Sequence, residues 1–101
     1  MRGYIYKLYH PDYPDFYIGS TVDLEKRKQF HFFDCNDNTR PNYKNKKYQY
    51  IRKHSGIENW VFEIIEDMEI TERRELNILE EYHIILKNPT LNTNRAMKKY
   101  N

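Results

Sequence analysis

Residues 3–9 and 16–20 are two short runs of β-branched and aromatic residues, and the segment between them holds Pro11, Asp12, Pro14 and Asp15. No helix runs through such a breaker cluster. The runs Tyr4-Ile5-Tyr6-Lys7-Leu8-Tyr9 and Phe16-Tyr17-Ile18-Gly19-Ser20 are therefore predicted to be the two antiparallel strands of a hairpin. Apolar and aromatic residues occupy both alternating faces of the first strand, so cover is needed on both sides of it.

The rest of the chain supplies candidates for that cover. Thr21 and Asp23 are both suitable N-cap acceptors, and residues 24–33 contain neither Gly nor Pro, which predicts a first helix with Arg27 and His31 on one face. Residues 34–45 are rich in Asn and are read as the longest loop. A second short helix is expected over residues 46–54, with Tyr48 and Ile51 inward and Gly56 as a left-handed cap. Residues 60–66 alternate, with Val61, Glu63 and Ile65 on one side and Phe62 and Ile64 on the other, which suits a third strand paired with the hairpin. From Thr71 as cap to about residue 87 a final helix presents Leu76, Leu79, His83 and Leu86 inward, and Pro89 ends it. The order β-β-α-α-β-α makes an α+β fold, a three-stranded antiparallel sheet flanked by helices, in one domain over residues 1–101.

Composition narrows the function classes. With 101 residues one core is possible, and since the 39% hydrophobic fraction includes 10 Tyr, that core must be partly polar. A net charge of +2, from 17 basic against 15 acidic residues, is by itself a weak sign of nucleic acid. Its distribution says more: basic residues gather in 22–32 and 40–53 and acidic ones in 58–81, which implies one basic face. Cys35 is the single cysteine, so neither a disulfide framework nor a cysteine-based zinc site is expected within one chain. With no apolar run of membrane-spanning length and no signal-like start, an intracellular location, neither secreted nor membrane-bound, is expected.

Two strand tyrosines across a hairpin are commonly no more than cross-strand packing. Here they stand in a longer series. Tyr4-Ile5-Tyr6, Tyr17-Ile18-Gly19-Ser20, Arg27, His31, Glu80-Glu81-Tyr82-His83-Ile84 and Leu91-Asn92 occur in this order over residues 3–92. The series resembles the motifs of the GIY-YIG nuclease superfamily. One departure is visible, because Tyr4 stands where the first motif usually has Gly, with Gly3 beside it.

The resemblance implies a metal-dependent endonuclease that hydrolyses DNA phosphodiester bonds and leaves 3′-OH and 5′-phosphate ends. It implies Tyr6 as general base and Tyr17 as the group orienting water and phosphate, the division between the two being open. A phenol has an ordinary pKa of about 10, so either needs a neighbouring cation to ionise near neutrality. Arg27 offers a fork of donors for phosphate oxygens. His31 binds phosphate, supports Tyr6 or shuttles a proton. Glu80 is the expected ligand of one Mg²⁺, for which Mn²⁺ can substitute, with Glu81 and Glu75 as competitors; Mg²⁺ is satisfied with one or two protein carboxylates. Asn92, or Asn94 in its stead, holds site groups in register. Gly19, Ser20, Lys26, Lys28, Lys46 and Lys47 are the candidate DNA contacts. Nothing in this set reads a 2′-hydroxyl, so the choice between DNA and RNA is open. A domain of this size leaves targeting to an accessory DNA-binding domain or a protein partner, and the oligomeric state is not fixed. The rival readings are a DNA-binding module that kept the fold and lost catalysis, against which the intact residue set argues, and a small protein-interaction domain, which would not bind DNA in a salt-dependent way.

Overall fold

A computed structural model describes residues 1–92. Its elements are β1 (Arg2–Tyr9), β2 (Tyr17–Thr21), α1 (Leu24–Asn36), α2 (Lys46–Lys53), β3 (Val61–Glu69) and α3 (Arg73–Lys87). The sheet is antiparallel in the order β2-β1-β3, so the first strand is central, as its two apolar faces require. On one face Leu8 packs with Cys35 of α1 and with Tyr48 and Ile51 of α2; on the other, Ile5 and Ile18 pack with Leu76 and Ile84 of α3. Among the described residues no helix is long and apolar enough to cross a membrane.

Several boundaries differ from expectation for identifiable reasons. Helix α1 runs on to Asn36 because Asp34 and Cys35 are buried: Asp34 takes an ion pair from Arg40 Nε at 2.9 Å, and Cys35 joins the core. The predicted loop is thereby shortened, and Pro41–Lys44 forms a 3₁₀ turn within it. Strand β3 extends to Glu69 although its last residues are acidic, since Asp67 and Glu69 pair with Arg2 across the sheet. A bulge opposite Ile5/Tyr6 leaves Ile65 unmatched, so alternation resumes with Glu66 facing α3, where its Oε1 lies 2.8 Å from His83 Nε2.

At the start of α3 the cap is Glu72, while the Thr71 hydroxyl donates to Glu75 Oε2 at 2.6 Å. Leu86, expected inward, is 62% exposed, and Ile84 takes its place in the core. The two lie two residues apart, about 200° around a helix, so only one can face the sheet. After α2 both Ser55 and Gly56 have positive φ, 84° and 85°, and Gly56, with ψ 153°, is not the left-handed cap expected of it; Asn88 ends α3 in the left-handed region just before Pro89.

Ile51 is fully buried at the contact of α2 with the sheet. Replacing it with Ala is expected to remove about 2–5 kcal/mol, a large part of the total for a domain of this size. Urea unfolding should show a lower midpoint with an unchanged slope.

Candidate active site

Strand register sets the first two groups. Tyr6 faces Gly19 across β1–β2, and Tyr17, paired with Leu8, is its diagonal neighbour, with ring centroids 6.2 Å apart. A Cβ on Gly19 would lie 2.5 Å from Tyr6 Oη and 2.8 Å from Tyr17 Cε2. Glycine is thus required because the Tyr6 phenol lies flat across β2, with Phe62 stacked on its ring at 4.9 Å. Gly19, expected as a DNA contact, thus makes room for a side chain of the neighbouring strand.

Helix phase sets the next two. Asp23 accepts from Lys26 N at 3.1 Å and starts α1 so that Arg27 and His31, one turn apart, both point at Tyr6. Arg27 Nε donates to Tyr6 Oη at 3.2 Å, His31 Nε2 lies 2.7 Å from the same oxygen, and His31 Nδ1 lies 2.7 Å from Tyr48 Oη. The result is a buried chain Arg27–Tyr6–His31–Tyr48.

Burial holds the Tyr6 phenol well above the ordinary tyrosine range, and Tyr17 adds to this while Arg27 pulls against it. Tyr17 is raised too, again by burial first, with Arg27 opposing and the Glu80 charge adding. Burial works against the Arg27 charge, yet the surrounding Tyr6 and Tyr17 oxygens hold its proton more tightly than usual. His31 is lowered to about 2 by burial, helped by Lys47 and Arg27. Its imidazole is therefore neutral and must donate from one nitrogen and accept at the other. Two arrangements satisfy the chain. In one, Tyr6 donates to Nε2 and Nδ1 donates to Tyr48; in the other, Tyr48 donates to Nδ1, and Tyr6 Oη accepts from both His31 and Arg27.

Lys47, expected only as a DNA contact, stands inside the site. Its ammonium lies 4.0 Å from the Tyr17 ring centroid and 4.6 Å from that of Tyr48. Burial and the Arg27 charge lower it to about 8, against the pull of Asp34 and Glu80. The sequence signal was its position next to inward-facing Tyr48 on a short helix. Tyr48, read as plain core, is the other missed member, and its hydroxyl orients His31.

Glu80 reaches the site from the opposite face of the sheet, where the Ser20 hydroxyl donates to its Oε1. Burial raises its carboxyl, while Ser20 and Arg27 lower it. Glu75 is engaged by the Thr71 backbone and hydroxyl, away from these groups. Among the described residues no three His, Cys, Asp or Glu side chains form a metal cluster. The donor set fits a cation that takes one carboxylate and completes its shell with water and phosphate oxygens. Asn92 makes two bonds to the edge of β2, accepting from Ile18 N at 2.9 Å and donating to Ile18 O at 2.7 Å, which fixes Tyr17 and Gly19 on either side. Asn94 lies outside the described residues.

Part of the predicted basic face is used internally: Arg52 binds the carbonyls of Cys35 and Tyr43, each at 2.8 Å, and Arg40 binds Asp34. Lys26, Lys28 and Lys46 are exposed and lie outside the buried chain, Lys28 being 3.9 Å from Glu25.

The His31 shift has a consequence for stability. The unfolded chain binds a proton at His31 near pH 6.5, whereas the folded protein binds it only near about 2, so stability is lost as pH falls through this window, by about 1.4 kcal/mol per unit. Urea unfolding should therefore show a steeper decline from neutral pH to mildly acidic pH for the wild type than for His31→Gln; parallel declines would contradict the assignment.

The sequence profile of the GIY-YIG catalytic domain matches residues 2–101. No curated protein and no solved structure matches the chain significantly. With its sheet order, its two strand tyrosines and a profile match across nearly the whole chain, the protein belongs to the GIY-YIG nuclease superfamily.

Proposed function

We propose that the protein is a DNA endonuclease that hydrolyses phosphodiester bonds with Tyr6 as general base and Glu80 as the ligand of a single divalent cation. The observation that carries this reading is the setting of Tyr6 Oη, 3.2 Å from Arg27 Nε and 2.7 Å from His31 Nε2. A phenolate is stabilised by N–H donors, and this oxygen has two of them when Tyr48 donates to His31 Nδ1 and so holds the tautomer protonated at Nε2.

The chain's own groups then divide the work. Arg27 and Lys47 attract the phosphodiester anion, and the planar Arg27 fork stabilises charge growing on its non-bridging oxygens. Tyr6 takes the proton of the attacking water, and Tyr17, held against Lys47, orients that water. Mg²⁺, or Mn²⁺ in its place, when held by Glu80 supplies Lewis-acid stabilisation of the phosphate and of the leaving 3′ oxygen. Release of that oxygen, which takes a proton from solvent water, gives 3′-OH and 5′-phosphate ends.

Nicking of supercoiled plasmid in Mg²⁺ against EDTA tests the assignment. Tyr6→Phe and Glu80→Ala should each lower the metal-dependent rate by about a hundredfold or more while thermal unfolding stays cooperative. Equal nicking by wild type and both variants would remove these residues from the reaction.

The pH profile of kcat/KM gives a separate check, because it reports the free protein. Since Tyr6 is raised, its phenolate is rare at neutral pH and its population grows roughly tenfold per unit. The Lys47 ammonium is lost above about 8 at the same rate. Their product rises with pH and then levels near pH 8. Lys47→Arg keeps its charge, so its profile should continue to rise where the wild type has levelled.

A further inference from the structure

Next to Arg27 a cavity of about 230 Å³ opens between the turn that joins β2 to α1 and the first turn of α3. Lys26, Arg27 and Arg73 bring three cations to its wall, against one acid, Asp23, which already accepts from Lys26 N to cap α1. Among the described residues neither Lys26 nor Arg73 makes an ion pair. Arg27 of the candidate active site is itself part of the cavity wall.

Phe30 forms the remaining wall of interest. It is 40% exposed, belongs to neither core cluster, and has the Lys26 ammonium 5.9 Å from its ring centroid. Core packing does not account for a large ring left on a basic concavity one turn from Arg27. A nucleobase does: its face stacks on an aromatic ring while its phosphate is held by flanking cations. The cleft has room for one base beside the ring. Within a duplex both faces of a base are already covered, so a ring on a cavity wall stacks only on a base turned out of the helix.

We infer that this cavity binds an unpaired nucleotide adjoining the scissile phosphate, its base against Phe30 and its phosphate between Lys26 and Arg73, an inference that rests on the nuclease reading above. It makes DNA with an unpaired nucleotide at the cut, such as a gap, flap or single strand, the favoured substrate class.

The test uses fluorescence anisotropy with the full chain carrying Tyr6→Phe to block cleavage, and compares a short oligothymidylate with a duplex of the same length. Adding Phe30→Ala should weaken single-strand binding about tenfold while leaving duplex binding unchanged, and Phe30→Tyr should restore it. Arg73→Ala should weaken binding and lower the salt dependence by about one phosphate contact. An unchanged single-strand affinity in Phe30→Ala, or an equal loss on both DNAs, overturns the subsite. Plasmid nicking by the Phe30→Ala protein with Tyr6 intact separates the two failures. Nicking with no stacking defect sinks the subsite alone, whereas neither binding nor nicking by the wild type sinks the nuclease reading as well.

Discussion

The contact of the Tyr6 phenol with the bare backbone of Gly19 is the constraint on which the site is built. Because the ring lies across the neighbouring strand, its oxygen sits over Gly19, and there it meets Arg27 and His31. A strand interior normally loses stability by holding glycine, since the residue packs nothing and has more backbone freedom to give up. Here the ring of the partner strand fills the missing side chain's place. Positioning the oxygen and filling the sheet are the same contact.

Around that contact the protein has buried more polarity than a domain of this size easily carries. His31 and Tyr48 lie in the interior together with Tyr6, and each hydroxyl or ring nitrogen in their chain has a partner. A satisfied network of this kind fixes one arrangement of the core, whereas loss of any member leaves another unpaired in a low-dielectric setting. Charge is distributed in a similar way. Two arginines of the basic stretch, Arg40 and Arg52, hold helix ends and turns together, while Lys26 and Arg73 stand beside Arg27.

Local pattern alone makes the hairpin and the shared face of Arg27 and His31 legible in the sequence, since each follows from strand alternation or helical spacing, whereas Glu80 stands out from Glu75 and Glu81 only through the resemblance of its segment to the family's motifs. The features that local pattern does not reveal depend on distant partners. Asp34 and Cys35 resemble loop residues until Arg40 and the core receive them, and the acidic end of β3 resembles a turn until Arg2 lies opposite. Lys47 has a local signal only in its neighbour, inward-facing Tyr48, and the Tyr17 ring beneath its ammonium comes from a strand 30 residues earlier in the chain. The exchange of Leu86 for Ile84 is a matter of helix rotation, which a stripe of apolar residues on nearly every side of α3 does not decide.

The paired bonds between the Asn92 carboxamide and the Ile18 backbone join positions 74 residues apart. During synthesis the hairpin, Tyr6, Tyr17 and Arg27 all leave the ribosome long before the residue that fastens the outer strand. Until Asn92 arrives, the edge of β2 offers its amide and carbonyl to water or to another strand. The outer strand is thus fastened late, and a nascent or truncated chain holds Tyr6 and Tyr17 without the clasp that keeps β2 in register.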